Sequence, residues 1–426
     1  IRESRGRLLA ALANRGLTLP PGRLLLHLQP AALKKSGELL DLPLALGAAA
    51  AAGSVPPAAL EKALFLGEVA LDGTLRAVPG GLAAADAARR LGLRDLVAPP
   101  GTAHEAAALP GLRAFACRDL TEVLALLSGA PFAPLPPPAE DELPGPGDGP
   151  LALDAIRGQE LGKRALEVAA AGAHCLLFSG PPGAGKSLLA RALVDLLPPP
   201  TLEERIEITR VLSAAGRWPG GLARRRSFRA PHHTTSHAGL VGGGSPPGPG
   251  EITLAHRGVL FLDELPEFRR EVLESLRQPL EDGQILVARA GRQVLLPAAF
   301  QLVCAMNPCP CGYRGHPKVP CRCAPTSVTR YRQRISGPFL DRIDLRLELT
   351  PPTIGDLLDG PPPTSDTEKA TGSAHEPTRA RIQRIHTARQ AAEARQSKCN
   401  AQLGTHELDE HAPITVDMRH LLTRAA

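Results

Sequence analysis

A glycine-rich segment near the middle of the chain has the residue types that hold a phosphate chain. Its residues are Gly180, Pro181, Pro182, Gly183, Ala184, Gly185, Lys186 and Ser187. They fit the pattern G-x-x-x-x-G-K-[ST], in which glycines turn backbone N–H groups towards phosphate oxygens. The lysine adds a mobile cation, the serine hydroxyl can hold Mg²⁺, and the following helix adds its positive end. A chance glycine turn is the alternative, but an apolar run before the segment and a helical pattern after it favour binding of ATP and Mg²⁺.

Two adjacent carboxylates follow an apolar run about 75 residues further along the chain. The run Val259–Leu262 predicts a buried strand, and Asp263 and Glu264 come directly after it. In ATPases with such a phosphate loop, an acidic residue at this position binds Mg²⁺. Asp263 is therefore the candidate metal ligand and Glu264 the candidate general base that polarises water. A solvated acidic turn is the alternative, which the upstream phosphate loop disfavours.

Two further polar residues could complete a hydrolytic site. Asn307 follows a third apolar run, and its amide could orient water between the γ-phosphate and Glu264, although Asn before Pro commonly forms a turn. Arg342 is a candidate arginine finger that acts across a subunit boundary. A surface ion pair of Arg342 with Asp341 or Asp344 is the alternative.

Two C-x-C pairs lie close together after Asn307. Their residues are Cys309, Cys311, Cys321 and Cys323. Four thiolates can close a tetrahedral Zn²⁺ site, although C-x-x-C spacing is more usual. Zinc and unmetallated, reduced cysteines both remain open from the sequence. His316 lies between the pairs and is interpreted as a loop residue.

Arginines are concentrated in two segments that could contact a phosphate backbone. The candidate DNA-binding residues are Arg224, Arg225, Arg226, Arg229, Arg289 and Arg292. The first four lie in a Gly- and His-containing insert, and the last two lie at the tip of a predicted hairpin over 284–297. Solvated surface arginines are the alternative in both places. His232, His233 and His237 have no nearby carboxylate in sequence, so a metal site there is disfavoured.

Bulk composition indicates a globular protein with several domains. The chain has 426 residues, of which 43% are hydrophobic and 22% charged, and its net charge is +6. The mild excess of positive charge fits a polyanionic partner. No apolar run reaches the length of a membrane span, no signal peptide is apparent, and the cysteines do not form an extracellular disulfide framework. We therefore expect a cytoplasmic protein with no membrane partner.

The predicted organisation is α/β throughout, with two domains, two linkers and a lid. The boundaries are 1–130 for a small α/β domain, 131–150 for a Pro/Gly linker, 151–350 for an ATPase domain, 351–377 for a second linker and 378–426 for a partial helical lid.

Local patterns predict the elements of each domain. Strand-forming runs over 64–70 and 74–78 flank Asp72-Gly73, which predicts a hairpin, and 24–28 predicts a short strand. Apolar runs over 175–179, 259–262 and 301–305, separated by helical patterns, predict a parallel sheet. Residues 378–396 predict an amphipathic helix with Ile382, Ile385 and Ala388 on one face.

Longer segments carry a more specific resemblance. They are GVLFLDELPEF from Gly258, FRAPHHTTSHAGLVGGGSPPGPGEI from Phe228, NPCPCGYRG from Asn307 and RYRQRISGPFLDRID from Arg330. Together with the phosphate loop, these segments resemble the magnesium-chelatase-like AAA+ ATPases, and most of all the bacterial members that act in competence. The resemblance covers nearly the whole chain.

The resemblance implies several expectations about fold and function. It implies a Lon-protease-like amino-terminal domain that is proteolytically inactive, since no serine falls in 38–43 and alanines follow Gly80-Gly81-Leu82. It implies a homohexameric ring that drives branch migration of DNA during natural transformation. It places the sensor 1 asparagine at Asn307, the finger at Arg342, and the adenine-proximal segment at Gly158 and Gln159. The sensor 2 arginine is expected beyond residue 426.

Three functions remain open at the level of sequence. The leading one is an ATP-driven DNA motor with helicase activity, which the basic insert, the arginine hairpin and the net charge favour. A magnesium-chelatase-type motor subunit and a protein remodeller are the alternatives. Neither alternative accounts as well for the arginine-rich segments.

Overall fold

The computed structural model describes residues 2–17, 19, 25, 38–138, 152–244, 248–289, 292–355 and 378–425. The chain divides into two compact units. The first consists of Ile1–Gly145, Pro200–Arg224 and Gly243–Pro249, and the second of Pro146–Pro199, Arg225–Gly242 and Gly250–Ala426. Apart from Leu25, the strand predicted over 24–28 lies outside the described residues, as do most of both predicted linkers.

The first unit is a small α/β fold. Its helices are α1 (Arg2–Asn14), α2 (Asp41–Ala51), α3 (Pro57–Leu60), α4 (Gly81–Arg90), α5 (Pro100–Ala107), α6 (Leu120–Leu127) and α9 (Leu202–Ala214), with a 3₁₀ turn at Glu38–Leu40. Its strands are β1 (Ala63–Phe65), β2 (Glu68–Val69), β3 (Leu75–Arg76), β4 (Asp95–Ala98) and β5 (Arg113–Ala116). A further two-residue strand, β9 (Gly248–Pro249), also falls in this unit, and β8 (Gly242–Gly243) straddles its boundary.

The predicted hairpin is present but shorter than expected. Strands β2 and β3 pair antiparallel around Asp72 and Gly73, and Gly73 has the positive φ of 81° that the turn requires. The run 64–70 is not a single strand, so that prediction was wrong. Its first half, β1, pairs in parallel with β4, which pairs in turn with β5. The run divides at Gly67, whose φ of 150° breaks the strand between the two sheets.

Helix α9 joins the first unit although its sequence lies far along the chain. A capping box starts it, because the Thr201 side chain accepts the Glu204 N–H and Glu204 accepts the Thr201 N–H. Its buried Ile206 packs in the same cluster as Leu82. Its Arg210 donates to the buried Asp86 at 2.9 Å. Apolar packing and one ion pair therefore hold this helix to the amino-terminal residues.

The second unit is built around a five-stranded sheet. Its sheet strands are β6 (Leu176–Ser179), β7 (Phe228–Arg229), β10 (Val259–Leu262), β13 (Gln301–Met306) and β14 (Leu345–Glu348), and β11 (Gln284–Arg289) with β12 (Arg292–Pro297) forms a separate hairpin. Its helices are α7 (Glu160–Gly172), α8 (Lys186–Leu196), α10 (His237–Val241), α11 (Glu251–Leu254), α12 (Arg270–Glu274), α13 (Arg277–Asp282), α14 (Pro325–Arg332), α15 (Gly337–Leu340), α16 (Thr378–Gln396), α17 (Thr405–His411) and α18 (Val416–Ala425), with 3₁₀ turns at Leu265–Glu267 and Asn400–Gln402.

All strands of the five-stranded sheet run in parallel, which confirms the predicted parallel sheet. Their order is β14-β6-β13-β10-β7. The three central strands correspond to the three predicted apolar runs. The edge strands β7 and β14 were not predicted, because β7 has only two residues and β14 alternates charged with apolar residues.

The sheet is covered on both faces. Leu260 and Leu262 of β10 belong to one apolar cluster, whereas Val259 and Phe261 belong to the other. This alternation follows from the two-residue period of a strand. A strand buried on both sides has an uninterrupted apolar sequence, which explains why these strands were the easiest to predict.

Helix α16, the first helix of the predicted lid, packs against α7. Ile382 and Ile385 join the cluster beneath the sheet, and Arg381 forms an ion pair with the buried Glu167, with Nε 2.9 Å from Oε1. The predicted third residue of this face, Ala388, is exposed, and Ala392 is buried in its place. A search of the helices in the described ranges found none with the length and apolarity of a membrane span.

Substitution of a central strand residue tests this account of the core. Leu260 is fully buried in β10, so Leu260→Ala should lower the free energy of unfolding by about 2–5 kcal/mol. Leu295→Ala is the matched control, because Leu295 also lies in a strand of this unit but is 58% exposed. Urea denaturation followed by circular dichroism measures both variants. Equal losses for the two variants would contradict the burial described here.

Candidate nucleotide site and cysteine cluster

The phosphate loop leaves the carboxyl end of β6 and enters α8, as predicted. Gly183 and Gly185 have φ values of 80° and 83°, which residues with a side chain rarely adopt. Gly180 donates its N–H to the Met306 carbonyl at 3.2 Å, so the loop begins beside the end of β13. Pro181 and Ala184 are buried, whereas Pro182 is exposed. The loop is thus anchored to the sheet at its start.

The Lys186 side chain is held inside the curve of the loop. Its Nζ donates to the carbonyls of Gly180 at 2.5 Å and Pro181 at 3.0 Å, and to Asn307 Oδ1 at 3.1 Å. Partial burial lowers the pKa of Lys186, while the charge of Asp263 opposes that shift. The ammonium group therefore has neutral partners that phosphate oxygens could replace, and the predicted Asn307 is one of these partners.

Ser187 and Asp263 meet as a pair of hard oxygen ligands. The Ser187 hydroxyl donates to Asp263 Oδ2 at 3.0 Å. Hydroxyl and carboxylate oxygens at the end of a phosphate loop are the donor set that Mg²⁺ takes together with nucleotide phosphates. These residues therefore fit the metal that the sequence predicted.

Glu264 has a partner that sequence reasoning did not identify. His233 Nδ1 lies 2.9 Å from Glu264 Oε2. His233 follows β7, and its ring lies against that of His232, with centroids 4.1 Å apart and planes tilted by 34°, and meets Phe268 edge-on. Glu264 has a left-handed backbone with φ of 51°, and its N–H is accepted by Asp263 Oδ1. Glu264 thus points towards a histidine that fixes its carboxylate.

The predicted adenine-proximal residues lie beside the loop. Gln159 Nε2 donates to the Ala184 carbonyl at 3.0 Å and to the Thr350 carbonyl at 2.6 Å. Both Gly158 and Gln159 have positive φ, at 63° and 56°. The Gln159 side chain therefore joins the phosphate loop to the chain that follows β14.

Arg342 contacts other residues of its own subunit. It pairs with Glu281 and donates to the Pro338 carbonyl at 2.6 Å. The sequence left open an ion pair of Arg342 with Asp341 or Asp344. Arg342 pairs with Glu281 instead. Asp344 instead accepts the Cys175 N–H at 2.7 Å and lies 3.6 Å from His174 Nδ1.

The four predicted cysteines converge. The sulfur of Cys309 lies 3.4 Å from that of Cys311 and 3.6 Å from that of Cys321, and all four sulfurs, including that of Cys323, lie within 4.8 Å of one another. Tetrahedral zinc with Zn–S bonds of about 2.3 Å needs sulfurs about 3.8 Å apart. Backbone N–H groups of Tyr313 and Arg322 lower the pKa of Cys311 to about 6, which favours its thiolate. The cluster therefore has the donors and the size for zinc.

The cysteine cluster directly adjoins the phosphate loop. Gly312, one residue after Cys311, donates its N–H to the Cys309 carbonyl at 2.9 Å and has φ of 85°. A Cβ on Gly312 would lie 3.0 Å from Pro182 Cδ and 3.8 Å from Asn307 Cγ. The turn between the first two cysteines therefore rests against the loop that the sequence assigned to phosphate.

The predicted DNA-binding arginines differ in their surroundings. Arg226 donates to the carbonyls of Pro198 and Arg257, at 2.7 and 2.9 Å, and Arg229 makes two bonds to Glu251 at 2.6 and 2.7 Å. Arg225 is more exposed and lies 3.8 Å from Asp195. Arg224 is half-buried and belongs to the first unit.

The predicted arginine hairpin forms as β11 and β12. Arg289 pairs with Arg292 at the last register position before the tip. Ile285 and Val287 are buried, whereas Leu286 and Leu295 are exposed. The hairpin is therefore attached to the core at its base, with both arginines at its far end.

Comparison with known proteins matches two family models. Residues 152–357 match the model described as magnesium chelatase, subunit ChlI. Residues 1–102 match the model described as subunit ChlI of Mg-chelatase. The two matches cover most of the described residues, including the whole phosphate-loop region and the cysteine cluster.

Similar curated proteins come from several bacteria. The YifB protein of Salmonella typhimurium is 39% identical over 424 residues, which are 98% of this chain and 79% of that protein. The competence protein ComM of Haemophilus influenzae is 40% identical over 418 residues, which are 96% and 78% of the two chains. A magnesium-chelatase 67 kDa subunit of Chlorobaculum parvum is 27% identical over 162 residues, which are 37% and 23%.

Removal of the candidate base should separate binding from turnover. Glu264→Gln keeps the shape of the side chain but removes the proton acceptor, so kcat should fall by roughly 10²- to 10⁴-fold while ATP still binds. Lys186→Ala should lose ATP binding itself. Glu267→Gln, an exposed carboxylate three residues on, is the control. Steady-state ATPase assays and equilibrium binding give both quantities, and normal turnover by Glu264→Gln would disprove the assignment.

The histidine contact leads to a second prediction about turnover. His233→Ala should lower kcat by about tenfold or more with little change in KM, because it frees the Glu264 carboxylate without touching the phosphate loop. His232→Ala is the matched control, since His232 contacts Thr234 instead. The same ATPase assay compares them. If both substitutions lowered kcat equally, the contact between the rings of His232 and His233, and not the contact of His233 with Glu264, would explain the effect.

Proposed function

This chain belongs to the magnesium-chelatase-like AAA+ ATPase family, together with YifB and ComM, and we propose that it is an ATP-driven motor that moves DNA. The observation that carries the proposal is the convergence of Lys186, Asp263, Glu264 and Asn307 at one edge of the sheet, which supports ATP hydrolysis. The competence protein among its relatives supports DNA as the substrate. We propose branch migration by a helicase ring as the specific activity.

Each residue of the site has a proposed role in hydrolysis. Lys186 exchanges its loop carbonyls for the β- and γ-phosphates, and Asn307, one of its present partners, orients water. Glu264, fixed by His233, accepts the proton of that water. Ser187 and Asp263 would hold Mg²⁺, which would supply positive charge to neutralise the charge that develops on the phosphates.

The proposed assembly is a homohexamer in which Arg342 acts on the ATP of the neighbouring subunit. The guanidinium of Arg342 is paired with Glu281, outside the set of residues that surround Lys186. A finger that serves a neighbour does not need to reach the phosphate loop of its own chain. In the assembled ring, Arg342 would leave Glu281 and bind the γ-phosphate held by the neighbouring subunit. This exchange would couple ring assembly to ATP hydrolysis.

The proposed DNA contacts centre on the arginine hairpin. Arg289 and Arg292 lie at paired positions next to its tip, and several such tips around a ring would present a band of positive charge. Arg225 is the insert residue of the same unit that is proposed to add to it, and Arg224, in the first unit, is proposed as a separate DNA contact. Arg226 and Arg229 have structural partners, so we propose for them a supporting role in shaping the insert.

A magnesium-chelatase-type motor subunit is the second candidate function. It is favoured by the similarity to the chelatase subunit of Chlorobaculum parvum, which extends over 37% of the chain. Such a motor, like a protein remodeller, would use the same ATP site on a protein partner. Neither alternative function requires arginines at the hairpin tip.

We further propose that the amino-terminal unit is a Lon-protease-like domain without proteolytic activity. Residues 38–43 form a 3₁₀ turn and the start of α2, and they include no serine. Asp41 in this segment is buried and paired with Arg7. After Gly80, α4 begins with Gly81 and the buried Leu82, where the resemblance would require a lysine nearby.

We propose that zinc is bound by the thiolates of Cys309, Cys311, Cys321 and Cys323. The sulfurs of Cys309, Cys311 and Cys321 lie 3.4–3.7 Å apart, close to the separations in a tetrahedral site, and all four sulfurs lie within 4.8 Å of one another. Cys309 is fully buried and the other three are half-buried, as in a closed structural site without an open coordination position.

DNA dependence of the ATPase tests the proposed motor. Branched DNA at low salt should raise the ATPase rate several-fold, and binding should weaken steeply as salt increases, because arginine–phosphate contacts release counterions. Arg289→Ala with Arg292→Ala should lower the salt dependence and the stimulation while the DNA-free rate is kept. Gln284→Ala with Gln293→Ala, in the same strands, is the control. Absence of both stimulation and salt-dependent binding would exclude the DNA motor.

A further inference from the structure

The four-cysteine cluster and the phosphate loop are in contact, and neither the ATPase motifs nor the DNA proposal uses that contact. We propose that metal bound by the cysteines sets the position of the phosphate loop, so that zinc loading controls the affinity for nucleotide. This inference rests on the proposed zinc site and extends it from a structural metal to a regulator of the ATP site.

The first contact joins the backbone of the cluster to the loop. Gly312 lies so close to the ring of Pro182 that a Cβ there would be 3.0 and 3.2 Å from Pro182 Cδ and Cγ. Pro182 stands in the middle of the phosphate loop, where backbone N–H groups must face phosphate oxygens. Gly312 has no Cβ, and the space between its backbone and the Pro182 ring is too small for one, so a shift of Gly312 towards the loop would meet the proline ring.

The second contact runs through Asn307. Its side chain accepts a hydrogen bond from Lys186 Nζ at 3.1 Å, and its Cγ lies 3.8 Å from the position that a Cβ on Gly312 would occupy. Only Pro308 separates Asn307 from Cys309, whose side chain is fully buried. The first proposed metal ligand and the residue that accepts a hydrogen bond from Lys186 are thus only two positions apart in the chain.

Regular secondary structure does not hold this segment in place. Residues 307–324, all of which the structure describes, include no helix or strand. Four thiolates that share one metal would close the loop between Cys311 and Cys321 and remove most of its freedom. Without that cross-link, the turn next to Pro182 depends on backbone hydrogen bonds such as that from the Gly312 N–H to the Cys309 carbonyl.

Such a coupling has a simple energetic reason. Phosphate binding by a loop of this kind requires several N–H groups and one ammonium group to converge, and displacements of about 1 Å weaken such convergence strongly. A metal that fixes Gly312 and Asn307 therefore lowers the cost of arranging the loop. Loss of the metal should raise the Kd for ATP by about tenfold or more.

Three variants separate zinc binding from loop contact. Cys323→Ala removes the ligand that is furthest along the chain from Gly312, and it should lose zinc and bind ATP about tenfold more weakly. Gly312→Ala should keep zinc and still weaken ATP binding by a similar factor, because its new Cβ meets Pro182. Gly315→Ala is the matched control, since Gly315 also has positive φ, at 78°, but no atom lies within 4 Å of its Cβ position.

The measurements are zinc content by metal analysis, Kd for a fluorescent ATP analogue with Mg²⁺, and the thermal midpoint of the whole chain. The wild type should hold about one zinc per chain. Removal of this zinc by a chelator should weaken ATP binding while the protein stays folded, as judged by the thermal midpoint. Wild-type affinity in zinc-free protein, or in Gly312→Ala, would overturn the coupling. Absence of zinc from the wild type would overturn the metal premise, whereas absence of ATP binding by zinc-loaded wild type would overturn the proposed ATPase instead.

Discussion

The parallel pairing of β13 with β6 on one side and β10 on the other determines the rest of the site. Val303 is in register with both Leu176 and Phe261, and this register brings the carboxyl ends of the three strands to one edge. The phosphate loop, Asp263 and Asn307 each begin where one of these strands ends. A slip of one residue would move a strand by about 3.3 Å and reverse its faces, which would break both the core and the bond from Lys186 to Asn307.

Two residues with a strained backbone lie at this same edge. Glu264 and Gln159 are among the non-glycine residues with positive φ, a conformation that costs about 1–3 kcal/mol for a residue of this kind. Each has compensating bonds: Asp263 accepts the Glu264 N–H and His233 contacts its carboxylate, while Gln159 donates to two carbonyls. A positive φ that neighbouring groups maintain is typical of functional positions, where the direction of the side chain is more important than local stability.

The sequence predicted the features that depend on neighbours along the chain. Strands β6, β10 and β13 were recognised because burial on both faces leaves continuous apolar runs, and the phosphate loop because glycine, lysine and serine have fixed spacing. Features that depend on distant pairing were missed or misjudged. The run 64–70 was divided between two sheets, the contact of His233 with Glu264 spans 31 positions, and Gly312 meets Pro182 across 130 positions. No local pattern encodes such contacts.

Arginine content is a poor guide to a nucleic-acid surface until the partners of each arginine are known. In the insert, Arg229 makes a bidentate pair with Glu251, and Arg226 binds two carbonyls, so their donors already stabilise the fold. A phosphate would have to compete with these bonds. Arg289 and Arg292 occupy paired backbone positions at the end of a hairpin whose base is buried. The number of arginines in the insert therefore overstates the charge that this segment could offer to a polyanion.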